Sequence, residues 1–107
     1  KMTNFNDMLS KAREMQEQMK KTQELIKKIE VEGEAGGELV KVKLTGDYEL
    51  KSITVSEAAK KESNEIINDL IIAAYSNAKE KLKKKSSEEL LKVTGGIDLP
   101  FDLKFPT

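Results

Sequence analysis

Between Phe5 and Ile29 the residues Phe5, Met8, Ala12, Met15, Met19, Ile26 and Ile29 are apolar and, with Thr22, follow an unbroken alternation of three- and four-residue steps. Such spacing is a heptad seam with one polar member, and it predicts a helix over 4–29. Asn4 or Asn6 can cap its start, and Glu17–Lys21 and Glu24–Lys28 are i,i+4 pairs in the favoured orientation. A helix of that length spans about 39 Å, whereas a compact chain of this size is roughly 34 Å across. The helix is therefore expected to project, and its seam calls for a covering helix from this chain or from a copy.

From Ile29 the period falls to two. Ile29, Val31 and Gly33, then Val40, Val42 and Leu44, then Leu50, Ile53 and Val55 form three half-buried strands over 30–56. Glycines between the first two runs can supply positive φ, and Gly46-Asp47 precedes the third, so the strands form an antiparallel meander. Ser56 or Ser63 can cap a second helix over 59–93, in which Ile66, Ile67, Leu70, Ile71, Ala74, Tyr75, Ala78 and Leu82 make a wide apolar stripe for one face of the sheet. We read this helix as continuous to Val93, with a fresh start at the Ser86–Glu89 capping box as the alternative. Gly95-Gly96 ends it, and the tail over 94–107, which alternates apolar and polar residues but contains Pro100 and Pro106, is expected to lie as an extended strap on an apolar surface. The fold class is α+β in a single domain over 1–107.

Composition narrows the chemistry. With neither cysteine nor histidine among 107 residues, the chain has no disulfide, no thiolate or imidazole metal site, no cysteine nucleophile and no Ser-His-Asp triad. We expect no enzyme, no cofactor and no metal. Gly33, Gly36 and Gly37 fit neither a dinucleotide fingerprint nor a P-loop, Asp47 and Glu49 flank a turn, and Tyr48 and Tyr75 are too scattered for a base-stacking platform. No apolar run approaches the eighteen or so residues of a membrane span, and no secretion signal is readable, so a cytoplasmic protein without a membrane partner is expected. Met2 reads as the natural start.

The 19 Lys and Arg balance the 19 Asp and Glu, so only local segregation can mark a charged partner. Residues 1–30 carry seven cations against five carboxylates, 31–58 three against six, and 59–92 eight against six. Basic helices thus flank an acidic sheet. Residues 79–85 hold Lys79, Lys81, Lys83, Lys84 and Lys85 against one glutamate. Lysines late in a helix suit its dipole and a solvated face, which is the ordinary reading. The functional reading is a set of phosphate contacts, for which flexible ammonium groups serve as point charges. Arg13, Lys20 and Lys27 repeat every seven residues and form a second, weaker line on the first helix.

The order of parts carries a resemblance. Met15-Gln16-Glu17-Gln18-Met19, then Val31-Glu32-Gly33-Glu34-Ala35-Gly36-Gly37-Glu38-Leu39-Val40-Lys41-Val42, then Asp69-Leu70-Ile71-Ile72-Ala73-Ala74-Tyr75-Ser76-Asn77-Ala78, and Thr94-Gly95-Gly96-Ile97-Asp98-Leu99-Pro100 closely resemble the YbaB/EbfC family of bacterial nucleoid-associated proteins. The resemblance implies an intertwined homodimer whose sheets and second helices form the body and whose first helices project as arms. It also implies double-stranded DNA as partner, a nucleoid location, a role in nucleoid organisation or transcription regulation, and an association with recombination-repair or clamp-loader proteins. Lysines stand where the family often has arginines, which removes bidentate contacts and disfavours readout of base sequence.

The DNA-binding residues expected are therefore Lys79, Lys81, Lys83, Lys84, Lys85, Arg13, Lys20 and Lys27, and the dimer interface is expected to use Ile67, Ile71, Tyr75, Val40 and Val42. The rival reading is an adaptor or chaperone-like module whose heptad arms hold a helical protein partner.

Overall fold

The computed structural model describes residues 2–94, with side chains from 4 to 93; the expected strap lies outside them. Its elements are α1 (Met2–Lys27), β1 (Glu30–Ala35), β2 (Val40–Thr45), β3 (Leu50–Val55), α2 (Glu57–Lys60) and α3 (Asn64–Thr94). The long axis is 72 Å against 23 and 18 Å, and the radius of gyration is 19.5 Å. A compact chain of this length would have about 13 Å. The expected projection is present.

The strands form one antiparallel sheet in the order β1-β2-β3. Val31 pairs with Leu44, Gly33 with Val42 and Ala35 with Val40, so the period-two residues share one face. Val40, Val42 and Leu44 are fully buried there beneath α3. This corrects the expectation for Val40 and Val42. At 0% and 1% exposed within one chain, they have no surface left to offer a second copy.

The helix α3 lies over β1 and β2. Its buried column is Ala74, Ala78, Leu82, Ser86 and Leu90, a strict four-residue repeat. Four residues overshoot one turn by about 40°, so the buried face swings progressively around the helix axis. Ala74 and Ala78 thus meet the sheet, while the later turns meet α1, where Thr22 and Ile26 are buried in return. One unbroken helix serves both surfaces, and the capping box at Ser86 is not used, because Ser86 is an interior packing residue. The sheet contact is close because Gly33 has no side chain. A Cβ there would lie 2.3 Å from the Ala74 carbonyl oxygen and 2.4 Å from the Ala78 nitrogen. Gly46 does the same for α1, since a Cβ would stand 1.6 Å from the Ile26 carbonyl oxygen.

Several boundaries differ from the sequence reading. α1 ends at Lys27 rather than 29 and begins before Asn4, so neither asparagine caps it. Both serines proposed as caps act: Ser56 Oγ accepts from Ala59 N at 3.1 Å to start the short α2, and Ser63 Oγ accepts from Ile66 N at 3.2 Å to start α3. In the first turn, positive φ falls at Gly36 and Gly37, whereas Gly33 is a strand residue chosen for space. In the second it falls on Tyr48 (φ 63°), not on Gly46.

Candidate nucleic-acid interface

Two of the three sheet lysines, Lys41 and Lys51, are held by the chain's own glutamates, whereas Lys43 is exposed without an ion pair among the described residues. Antiparallel register sets the glutamates of β1 against the lysines of the sheet, so Lys41 stands 3.9 Å from Glu32, and it also stands 3.5 Å from Glu38 in the turn before its own strand. Lys51 hydrogen-bonds Glu30, and that bond with the lysine's charge holds the Glu30 carboxyl below its ordinary range. This face is exposed and largely self-neutralised.

The helices differ. Around Leu82, the buried residue of that turn, Lys83, Lys84 and Lys85 follow at successive steps of about 100° and so fan over the whole solvent side of α3. All three are exposed and make no ion pair among the described residues. Lys79 is half-buried and also unpaired. Lys81 is diverted: its Nζ donates to the Glu32 carbonyl oxygen at 3.0 Å. On α1, Arg13 and Lys20 are exposed and line a shallow trough with Gln16, Glu17, Met19 and Gln23, whereas Lys27 stands 3.8 Å from Glu24. Of the eight expected contact residues, five cluster on one stretch of α3 and three run along α1, which is exposed from residue 4 to residue 18. Ion pairing and hydrogen bonding compromise two of them.

The sequence reading missed the junction where α1 joins the body. A hollow of about 230 Å³ opens there between Gln23, Ile26, Lys27, Gly46, Asp47, Tyr48 and Ser86. Thr45 Oγ1 accepts from Asp47 N at 3.3 Å and from Glu49 N at 3.2 Å, which fixes the turn that carries Tyr48 in its left-handed conformation. The Tyr48 hydroxyl is buried and has no hydrogen-bond partner among the described residues. Burial, with a lesser effect from Tyr75, pushes its pKa above the ordinary 10.0. The folded chain thus prefers the neutral phenol, a contribution present below the unfolded pKa and lost as pH rises through the folded one. Comparing urea midpoints of wild type and Tyr48→Phe between pH 8 and pH 11 should therefore show a steeper alkaline loss for wild type. Parallel curves would mean that the phenol does not sense folding.

Among the described residues no group of three or more acidic side chains is placed to hold a metal ion, and no helix is long and apolar enough to cross a membrane. Fold and surface together define a class: a single-sheet α+β protein with a projecting helical arm and unpaired lysines on the helix beside its root. The chain belongs to the YbaB/EbfC DNA-binding family, whose model matches residues 2–97. It is 41% identical over 106 residues to a nucleoid-associated protein of Francisella tularensis subsp. tularensis, covering 95% of each chain. It is also 40% identical over 106 residues to nucleoid-associated protein Atu0095 of Agrobacterium fabrum, covering 98% of this chain and 99% of the relative.

Proposed function

We propose that this protein is a dimeric, non-enzymatic architectural protein of the nucleoid that grips duplex DNA by its backbone phosphates. The observation that carries the reading is the fan of Lys83, Lys84 and Lys85, three consecutive exposed and unpaired cations, whereas Lys41 and Lys51 of the sheet are paired with glutamates. Lys79, Arg13 and Lys20 add contacts on either side. Ammonium groups on long stems neutralise phosphates without selecting bases, so binding tolerates sequence. Fluorescence anisotropy with several unrelated duplexes of equal length tests this: affinities should agree within about threefold, since a single good base contact is worth about 1–3 kcal/mol of discrimination. A strong preference for one duplex would move the account to base readout. Nucleoid organisation or transcription control follows from such binding, and a recombination-repair or clamp-loader association is supported by the family resemblance.

The dimer reading has its own support. In register, Leu50, Ile53 and Val55 continue the core face beyond Leu44, Val42 and Val40. Yet α3 packs chiefly on β1 and β2, and Leu50 and Ile53 remain 45% and 44% exposed. Ile67, Ile71 and Tyr75 are half-buried on α3. About 60–100° of helix rotation separates Ile71 and Tyr75 from Ala74, on the flank opposite the side chains that reach β1. A second copy seated on β3 about a two-fold axis covers both groups and doubles the lysine fan. Sedimentation of the wild type should give twice the 12.0 kDa chain mass, and Ile53→Asp should give the single chain. An undisturbed assembly in that variant would place the interface elsewhere.

The adaptor reading is favoured by one feature, the exposure of Phe5 (63%) and Met8 (67%) near the start of α1. On that reading, replacing both by Gln abolishes capture of a helical protein after nuclease treatment and leaves duplex affinity unchanged.

A further inference from the structure

The sheet has two outer strands, and they are treated differently. On β1 two of the backbone groups that face away from β2 are occupied: Lys81 Nζ donates to the Glu32 carbonyl oxygen at 3.0 Å, and the Glu34 N–H donates to Asn77 Oδ1 at 3.0 Å. Asn77 and Lys81 are i,i+4 neighbours, each one residue before a buried member of the α3 column, so both project to the same flank. An amide as short as that of Asn77 reaches the strand because Gly33 lets the helix backbone settle directly on β1. Along β3, no side chain of the described residues takes the outward backbone groups.

An uncovered outer strand is a template for another chain. With both edges open, a β1-to-β3 contact between copies would be head-to-tail, and head-to-tail contacts that do not close into a ring give filaments. A β3-to-β3 contact about a two-fold axis instead uses the same surface twice and ends there. We infer that Asn77 and Lys81 are an edge guard: they close β1 to strand addition, so that assembly through the sheet has β3 alone to use, its partner is one second copy, and growth stops at two. The inference rests on the dimer reading given above. It also assigns Lys81 a role other than phosphate contact.

The test is the full chain carrying Asn77→Ala with Lys81→Ala, two residues that favour helix, with unchanged helical circular dichroism as the check on folding. Two quantities are read, the exchange rate of the Glu34 amide hydrogen and the sedimentation distribution over a concentration series. In the double variant the Glu34 amide should exchange at least about tenfold faster while the Gly33 amide, paired inside the sheet, stays protected. Species larger than two chains should appear and grow with concentration. A Glu34 amide that keeps its wild-type rate overturns the inference, as does a variant that loses that protection and yet keeps the wild-type size. Adding Ile53→Asp separates this from the dimer reading. If wild type proves monomeric, the dimer reading fails; the guard stands if the triple variant self-associates through the freed β1 and falls if it does not.

Discussion

Replacing Gly33 with alanine should lower the melting temperature by roughly 10–20 °C. The Cβ would lie 2.3–2.6 Å from the Ala74 carbonyl oxygen, the Ala78 nitrogen and the Ala78 Cβ. Two of these are backbone atoms of a helix, which cannot rotate aside as a side-chain tip can. Relief requires α3 to lift from the sheet over Val40, Val42 and Leu44, the fully buried part of the core. Overpacking of this kind costs about 3 kcal/mol, a large share of a small domain's total. Gly37→Ala is the control. Its φ of +71° imposes strain, but nothing lies within 4 Å of the new Cβ. That variant should lose only about 1 kcal/mol. Equal losses at the two positions would refute the packing explanation.

Reversing Lys83, Lys84 and Lys85 to glutamate should weaken duplex binding by about 100-fold or more while leaving the melting temperature within a few degrees. The three side chains are exposed and unpaired, so the fold loses no contact. A dimer would lose six contacts, and at about 0.5 kcal/mol for each exposed charge pair the sum approaches 3 kcal/mol, or two decades. Repulsion from the new carboxylates adds to it. The same reversal at Lys41 and Lys51, which are paired with glutamates on the sheet, should have a far smaller effect. If the sheet variant lost affinity and the helix variant kept it, the interface would lie on the opposite face of the molecule.

Much of this was legible in the residue pattern because the relevant forces are local or periodic. Period two gave the register that pairs Val31 with Leu44, and the heptad seam located Thr22 and Ile26, which α3 does cover. The seam's outer members stay exposed for a reason the pattern cannot carry, namely that α3 packs on the last turns of α1 alone. Long-range geometry was hidden in the same way. Period two places Gly33 in a strand, but not its role there, which is to admit a helix more than forty residues later. Asn77 and Lys81 reach β1 across sequence separations of 43 and 49 residues, so a lysine-rich run could not reveal that one lysine was already occupied. Alternation puts Val40 and Val42 on the apolar side of the sheet but does not show that the chain's own helix covers them.

On the proposed function, exposed cations on the helices, rather than the shape of the body, hold the nucleic acid. Titration of one duplex at several salt concentrations tests it most directly, because each neutralised phosphate releases counterions. Six contacts from two lysine fans predict that log K falls against log salt with a slope near −5. The slope should become markedly shallower in the triple glutamate variant, which keeps only the flanking contacts of Lys79, Arg13 and Lys20. A wild-type slope near zero, or no duplex binding at low salt, would contradict the account.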